Sequence, residues 1–241
     1  MALFLRLPAI ARVAGAALFA YAAILSPVNG TGHAVHAADT GPSSSRPRLM
    51  ALGDSLMAGY NLPSGQSVPD QLARILEEKG MPVTMINAGV SGDTSAGGLA
   101  RLDWMLKESP DIVMLGLGAN DALRGIDPKD TRINLNTILH RLRRDNIAVL
   151  LLGMLAPPNM GKEYTTEFNA IFPELAVMHN VPLVPFFLDG VAGNPTLLQA
   201  DGMHPTERGT EAIARHILPW VESLTATRKG APREALDESH H

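Results

Sequence analysis

Five short apolar segments alternate with helical segments over most of this chain, and this alternation limits the folds open to it. Apolar residues typical of buried strands occupy positions 48–52, 83–86, 111–117, 147–153 and 181–185. Helical patterns cover positions 68–79, 99–107, 131–145, 165–179 (despite Pro173) and 206–224. Strands separated by helices predict a parallel sheet with helices on both faces. Because crossovers are right-handed, we expect an α/β fold with a three-layer, doubly wound, five-stranded parallel sheet in the order 2-1-3-4-5.

The predicted strand order places two polar side chains at one crevice. In the order 2-1-3-4-5 the winding reverses between the first and third strands, and ligands bind at the carboxyl ends of the strands that flank such a reversal. Ser55 follows the first strand, and Asn120 follows the third. Topology alone therefore predicts that these two side chains lie beside the same ligand-binding crevice.

Ser55 lies in the segment Gly53-Asp54-Ser55-Leu56, between the first strand and a predicted helical turn. A strand, a tight turn and a helix can lift one hydroxyl clear of the sheet edge, where a substrate reaches it. Taken alone, the same turn also fits a loop serine that only satisfies backbone donors.

A serine nucleophile needs a base, which is usually histidine because its unperturbed pKa lies near working pH. Of the eight histidines, four lie near the chain ends and three lie within helical patterns: His33, His36, His240, His241, His140, His179 and His216. Only His204 lies in a loop that leads into a helix, with Asp201 three residues upstream. That spacing lets a carboxylate accept a hydrogen bond from the ring. The same segment also fits a helix-initiating turn that caps itself.

Acyl transfer also needs hydrogen-bond donors for the developing oxyanion. Three candidates follow strand ends: the backbone N–H of Ser55, the backbone N–H of Gly92 and the side-chain amide of Asn120. Glycine suits the second position because it tolerates unusual backbone angles and leaves room for a substrate. Taken one at a time, Gly92 and Asn120 also fit ordinary turn residues.

In this order, the residues resemble the sequence blocks of the SGNH (GDSL) hydrolase superfamily. The matching blocks are Gly53-Asp54-Ser55-Leu56, Gly92, Gly118-Ala119-Asn120-Asp121 and Asp201-Gly202-Met203-His204. Further similarity to the branch of thioesterase I, lysophospholipase L1 and arylesterase lies at positions 58–60, 87–88, 91–95, 118–125 and 182–187. The resemblance spans roughly residues 48–224, and Ala119 stands where some relatives carry glycine.

The resemblance implies a flavodoxin-like SGNH hydrolase fold with Ser55 as nucleophile, His204 as base and Asp201 as its orienting partner. Ser55, Gly92 and Asn120 are then expected to form the oxyanion hole. The implied activity is that of a serine esterase or thioesterase that hydrolyses aryl and alkyl esters, acyl thioesters and lysophospholipids through an acyl-enzyme, without a cofactor. A mobile wall over the acyl chain is expected at residues 155–165. Substrate contacts are expected from Asp54, Leu56, Leu155, Pro157 and Met203.

The N-terminal segment predicts that the protein is exported from the cytoplasm. Arg6 and Arg12 come before an apolar run that ends before Pro27. Small residues at positions 35 and 37 suit recognition by signal peptidase. Residues 1–37 are therefore expected to be a signal peptide. An uncleaved anchor is the alternative. We expect a flexible lead-in at 38–47, a hydrolase domain at 48–224, a disordered tail at 225–241, and a periplasmic or secreted protein with no stable membrane anchor after cleavage. The terminal His240 and His241 also fit a tag remnant.

Other classes of function fit the sequence less well. A net charge of −4 without a basic run argues against nucleic-acid binding, and the absence of cysteine excludes thiolate chemistry and cysteine zinc sites. Within the predicted folded region, no histidine pair has metal-ligand spacing, so no metal is expected. Two alternatives remain: a carbohydrate O-deacetylase or acyltransferase, and a non-catalytic module that binds acylated ligands. The expected partner is a small-molecule ester or lysolipid, and no oligomeric state is predicted.

Overall fold

The structure, a computed structural model, describes residues 46–228 and contains one five-stranded sheet. All strand pairs are parallel, and the order is β2-β1-β3-β4-β5, as the sequence predicts. The strands are β1 Arg48–Gly53, β2 Thr84–Gly89, β3 Ile112–Gly116, β4 Ala148–Leu152 and β5 Leu183–Val184. The predicted doubly wound α/β fold is therefore confirmed.

Among residues 46–228, eight α-helices connect and cover the strands. Their bounds are α1 Ser55–Ala58, α2 Val68–Glu78, α3 Ser95–Ala100, α4 Leu102–Leu106, α5 Ala119–Leu123, α6 Pro128–Arg144, α7 Lys162–His179 and α8 Glu207–Arg228. Helix α2 packs against α8, and α6 packs against α3 and α7. These two groups of helices cover the opposite faces of the sheet, because the chain winds outward from β1 in one direction and from β3 in the other.

The core lies where the sheet is covered on both faces. Every residue of β3 is buried, as are the last five residues of β1, which is the burial expected for central parallel strands. Helix α2 starts with a reciprocal capping box between Ser67 and Asp70. Helix α7 accommodates Pro173 in its interior, as predicted, and buries two aromatic side chains, Phe168 and Phe172. The buried central strands hold the loops that follow their carboxyl ends, where the candidate site residues lie.

The structure corrects several predicted boundaries. The segment predicted as one helix at 99–107 is two helices, because the chain starts a helix four residues earlier and breaks at Arg101 (φ −100°, ψ 1°). The second strand runs three residues beyond its predicted end, to Gly89, and α7 starts at Lys162, three residues before its predicted start.

The closing helix also extends beyond its predicted end at residue 224. Helix α8 continues to Arg228, with Thr225 buried and the Arg228 guanidinium donating to the carbonyl of Asn146 at 2.9 Å. The predicted signal peptide, most of the lead-in and the rest of the tail lie outside the described residues. Within residues 46–228, no helix combines the length and the apolar character needed to cross a membrane.

Candidate active site

Ser55 is the first residue of α1, immediately beyond the carboxyl end of β1. Its neighbour Asp54 is the N-cap of this helix, and the Asp54 carboxylate accepts a hydrogen bond from the backbone N–H of Leu56 at 3.0 Å. This cap fixes the turn between strand and helix. Helix α1 then ends after one turn at Gly59, whose φ of 76° lies in the left-handed region. The serine hydroxyl is thereby held at the sheet edge, half-buried.

The structure brings Ser55, His204 and Asp201 into one hydrogen-bonded chain. The ring atom Nε2 of His204 lies 2.9 Å from Oγ of Ser55, and the opposite ring atom Nδ1 lies 2.7 Å from Oδ2 of Asp201. Ser55 and His204 are 149 residues apart in sequence. These distances match those expected between a nucleophile, its base and the group that orients the base.

The Asp201 carboxylate determines which nitrogen of the His204 ring carries the proton. Its Oδ1 accepts hydrogen bonds from the backbone N–H groups of Met203 at 2.9 Å and His204 at 3.0 Å. Hydrogen bonds from these two amides, that of His204 foremost, lower the pKa of Asp201 to about 2. An ionised carboxylate can only accept, so Nδ1 of His204 donates to it and Nε2 is left to accept the Ser55 hydroxyl proton. In a neutral ring, this arrangement gives the tautomer that a general base requires.

Two residues that the sequence analysis did not assign support His204. The Tyr60 ring lies 4.5 Å from the His204 ring, centroid to centroid. The Gln199 side-chain amide donates to the carbonyls of Tyr60 and Pro205, each at 2.9 Å, and accepts from Asn61 at 3.0 Å. Gln199 therefore ties the loop after α1 to the loop that carries the triad. No local sequence signal identifies it, because its partners in the loop after α1 lie about 140 residues away.

Gly92 occupies the third position of a tight turn directly after β2. Asp93 donates its backbone N–H to the carbonyl of Val90 at 3.0 Å, and Gly92 has a φ of 82°. A positive φ at this position is what a type II turn requires, and it explains the glycine. The turn's closing bond uses the amide of Asp93 and not that of Gly92. The backbone N–H of Ser55, the first residue of α1, also has no hydrogen-bond acceptor within its own helix.

The Asn120 side chain lies between the two segments that carry these amides. Its Nδ2 donates to the backbone carbonyl of Asp93 at 2.9 Å and makes a longer contact, 3.4 Å, with Oδ2 of Asp54. Asp93 follows Gly92 and Asp54 precedes Ser55, so the Asn120 side chain contacts the residue next to each predicted backbone donor. The contact with Asp54 is the longer and therefore the weaker of the two.

Asp54 differs from its prediction as a substrate contact. The residue is only 1 % exposed, and its carboxylate oxygens contact the backbone N–H of Leu56 and the side-chain amide of Asn120, so it acts inside the protein. Burial raises the pKa of Asp54 to about 6, although the hydrogen bond from Leu56 opposes this shift. Leu56, also a predicted contact, is buried and offers a substrate little surface.

Replacing Asp54 with Asn should reduce the pH dependence of stability. The folded protein holds the Asp54 proton more tightly than the unfolded chain, because the pKa rises from 3.8 to about 6. Stability is therefore lost as pH rises through that interval, and the uncharged amide of the variant cannot contribute to this loss. Thermal unfolding of both proteins at several pH values from 4 to 8 measures it. We expect the variant to gain stability relative to wild type as pH increases, and a constant difference would contradict the assignment.

The remaining predicted substrate contacts lie in loops beyond the strands. Leu155 follows β4 and is 45 % exposed, and Met203, next to His204, is 49 % exposed. Pro157 is half-buried and precedes a single 3₁₀ turn, Pro158–Met160. Together with Tyr60, these side chains present apolar surface in loops at the carboxyl edge of the sheet.

The other described histidines are separate from this site. Nε2 of His179 lies 2.7 Å from the amide oxygen of Asn136, Nε2 of His216 lies 3.1 Å from the carbonyl of Phe186, and His140 is exposed. Residues 46–228 contain no group of three or more His, Cys, Asp or Glu side chains placed to hold a metal ion.

A sequence profile of the GDSL-like lipase/acylhydrolase family matches residues 51–212, which include Ser55, Gly92, Asn120, Asp201 and His204. The chain belongs to this family. This GDSL hydrolase is a serine hydrolase by family and by the composition of its site. The family resemblance predicted from the sequence blocks is confirmed.

Individual relatives of this GDSL hydrolase cover most of its length. An arylesterase of Vibrio mimicus is 41 % identical over 185 residues, which are 76 % of this chain and 88 % of the relative. The thioesterase 1/protease 1/lysophospholipase L1 of Escherichia coli K12 is 41 % identical over 177 residues, 73 % of this chain and 84 % of the relative. The crystal structure of AlinE4, an SGNH-hydrolase family esterase, is 44 % identical, covers 74 % of this chain and 96 % of its own, and superposes with a TM-score of 0.64.

Proposed function

We propose that this protein hydrolyses carboxylic esters and thioesters through an acyl-enzyme formed on Ser55. The observation that supports this most strongly is the continuous chain of hydrogen bonds from Asp201 through His204 to the Ser55 hydroxyl. A serine without such a base is a weak nucleophile at neutral pH. The relatives named arylesterase and thioesterase 1/lysophospholipase L1 support the same class of reaction.

The reaction proceeds in two balanced steps. Oγ of Ser55 attacks the substrate carbonyl carbon while Nε2 of His204 takes the hydroxyl proton, and Asp201 stabilises the imidazolium that forms. The tetrahedral intermediate collapses, the bond to the leaving group breaks, and His204 gives the proton to the departing alcohol or thiol. Water then loses a proton to His204 and attacks the acyl-enzyme, which releases the carboxylic acid and restores the Ser55 hydroxyl.

Replacing Asn120 with Ala should lower kcat by roughly 10²–10³-fold, the usual cost of removing one oxyanion donor. KM should change little, because the ground-state carbonyl oxygen uses this donor less than the oxyanion does. Steady-state kinetics on a p-nitrophenyl ester provide the measurement. The Asn136→Ala variant serves as a control, since Asn136 contacts His179 away from the site. A rise in KM with an unchanged kcat would contradict this role for Asn120.

The apolar side chains near the triad favour acyl chains as the bound part of the substrate. Tyr60, Leu155 and Met203 are each about half-exposed in loops at the carboxyl edge of the sheet, and such surface is better covered by a hydrocarbon chain than by water. We therefore expect turnover of p-nitrophenyl esters of increasing chain length, of an acyl-CoA thioester and of a lysophosphatidylcholine. For a protein outside the cytoplasm, esters and lysolipids are the more accessible natural substrates.

Two assays separate this function from its alternatives. A fluorophosphonate probe forms a stable adduct only with an activated serine, so absence of labelling would indicate a non-catalytic binding module. Faster hydrolysis of acetyl-xylan than of octanoyl esters would instead indicate a carbohydrate deacetylase. We expect labelling at Ser55 and a preference for the acyl esters.

The N-terminal sequence supports a location outside the cytoplasm. Residues 1–37 fit a secretory signal with cleavage after Ala37, which would release a periplasmic or secreted enzyme. The mass of the exported protein is the direct test, and a chain that begins at Ala38 is expected. A mass that includes residues 1–37, found in the membrane fraction, would indicate an uncleaved anchor.

A further inference from the structure

Arg101 is a mostly buried cation directly behind the candidate oxyanion hole. It occupies the break between α3 and α4, and its side chain is 19 % exposed. Its Nε donates to Oδ2 of Asp93 at 2.7 Å, and its Nη2 donates to the backbone carbonyl of Gly53 at 3.0 Å. The Asp93 side chain is also shielded, at 13 % exposure. Because Asp93 balances the charge, the guanidinium contributes mainly through the geometry of its fork.

The two acceptors of Arg101 lie next to the three oxyanion donors. Gly53 is two residues before Ser55, and its carbonyl also accepts the backbone N–H of Val90 at 3.0 Å. Asp93 follows Gly92, and its backbone carbonyl accepts the amide of Asn120. One side chain thus ties the end of β1, the turn after β2 and, through Asp93, the amide that follows β3.

Two features around Arg101 lower the stability of the fold, which is not expected around a side chain that has no role. Its Nη1 is buried and has no hydrogen-bond partner among the described residues, and an unsatisfied buried donor destabilises a fold. In addition, a Cβ at Gly97 would lie 2.0 Å from Oδ1 of Asp93, so α3 carries a glycine in its interior to make room for this carboxylate. Glycine in a helix is itself unfavourable relative to alanine. Such departures from optimal local structure concentrate at functional sites.

We propose that Arg101 is a positioning residue that fixes the oxyanion hole in its reactive geometry without touching the substrate. The proposal rests on the function proposed above. The hole works because its donors are already in place when charge develops, so small displacements of Gly92 and Asn120 reduce its effect. The hydrogen bonds of Arg101 go to Asp93 and to the Gly53 carbonyl, and not to Ser55 or His204, which distinguishes this role from that of a catalytic residue.

The test compares wild type, Arg101→Ala and Arg101→Lys by kcat, KM and the rate of fluorophosphonate labelling. We expect Arg101→Ala to lower kcat roughly 100-fold, a loss comparable to that of one oxyanion donor. KM should stay within about threefold, because binding of the ground state does not depend on the hole. Arg101→Lys keeps the charge but cannot make both hydrogen bonds, so it should recover only part of the activity. Arg215→Ala, which removes an exposed arginine paired with Glu211 on α8, is the matched control.

Chemical rescue separates positioning from a merely structural role. Guanidinium chloride at millimolar concentration should restore part of the kcat of Arg101→Ala, because the free ion can occupy the vacated space between Asp93 and Gly53. It should not raise the activity of wild type or of Arg215→Ala. A structural role predicts instead that activity follows the folded fraction in thermal unfolding and that guanidinium only lowers it.

A second variant tests the same hypothesis without changing Arg101. Gly97→Ala should displace the Asp93 carboxylate and lower kcat, with no gain in stability from the added helix former. If wild type is labelled at Ser55 but Arg101→Ala and Gly97→Ala are as active as wild type, the positioning role is wrong and the proposed function stands. If wild type itself is not labelled, the proposed function fails.

Discussion

Replacing Ser55 with Ala lowers kcat for p-nitrophenyl butyrate by roughly 10⁵–10⁶-fold, the loss seen when a triad nucleophile is removed from a serine hydrolase. Without Oγ no acyl-enzyme forms, and only water held near the oxyanion hole can attack the ester. Residual turnover reflects that slower path, so the hole alone still accelerates hydrolysis over the reaction in solution. Steady-state kinetics with highly purified variant protein measure the loss, because trace wild-type enzyme would mask it.

The fold should survive this substitution. The Ser55 side chain contacts His204, whereas the cap of α1 is made by Asp54 and the backbone of Leu56. Circular dichroism and the melting temperature should therefore match those of wild type, and the variant should still bind a substrate. Full activity in the Ser55→Ala protein would show that another residue is the nucleophile.

Replacing His204 with Gln should lower kcat by a similar factor, roughly 10⁴–10⁶, because the serine loses the base that is hydrogen-bonded to its hydroxyl. The backbone of residue 204 keeps its bonds, since these involve the Asp201 carboxylate and the amide of Gln199 and not the ring. Single-turnover kinetics on an activated ester would report the acylation rate directly. Fluorophosphonate labelling of Ser55 should slow in parallel.

The double variant Ser55→Ala, His204→Gln shows whether these residues act as a unit. Once the nucleophile is gone, the base has no proton to take, so the double variant should be no less active than either single variant. Losses that multiply would mean that His204 acts independently of Ser55. His179→Gln is the control for histidine removal, because His179 contacts Asn136 elsewhere in the fold.

Much of the fold is predictable because strand and helix patterns in an α/β chain carry the topology. The apolar run of β3 and the amphipathic helix α2 are local signals, and right-handed crossovers convert their order into the sheet order. The positions of Ser55 and Asn120 at one edge follow from that order. In the structure, Asn120 contacts Asp54 and Asp93, the neighbours of Ser55 and Gly92.

The features that the sequence did not reveal depend on long-range contacts. The helix predicted to start at residue 99 begins at Ser95, where Thr94 caps it. Gly97 in this helix leaves room for the packed Asp93 carboxylate. Gln199 and Arg101 carry no motif of their own, because each is defined by partners brought close only in the folded chain.

Burial explains two other departures. Asp54 is one of the predicted substrate contacts, but the turn directs its carboxylate into the protein. Helix α8 extends beyond residue 224 because Thr225, polar in sequence, is buried and bonds back to the carbonyls of Val221 and Glu222. A polar side chain can be buried when it donates to backbone carbonyls of its own helix, and the sequence alone does not distinguish it from an exposed one.

The most direct measurement is a crystal structure of the protein after reaction with a monoalkyl fluorophosphonate, whose tetrahedral adduct imitates the acylation intermediate. The account predicts phosphorus bonded to Oγ of Ser55 and the His204 ring within hydrogen-bond distance of an adduct oxygen. It also predicts the phosphoryl oxygen at about 2.7–3.1 Å from the backbone nitrogens of Ser55 and Gly92 and from Nδ2 of Asn120. An adduct on another residue, or a phosphoryl oxygen directed away from these three nitrogens, would contradict it.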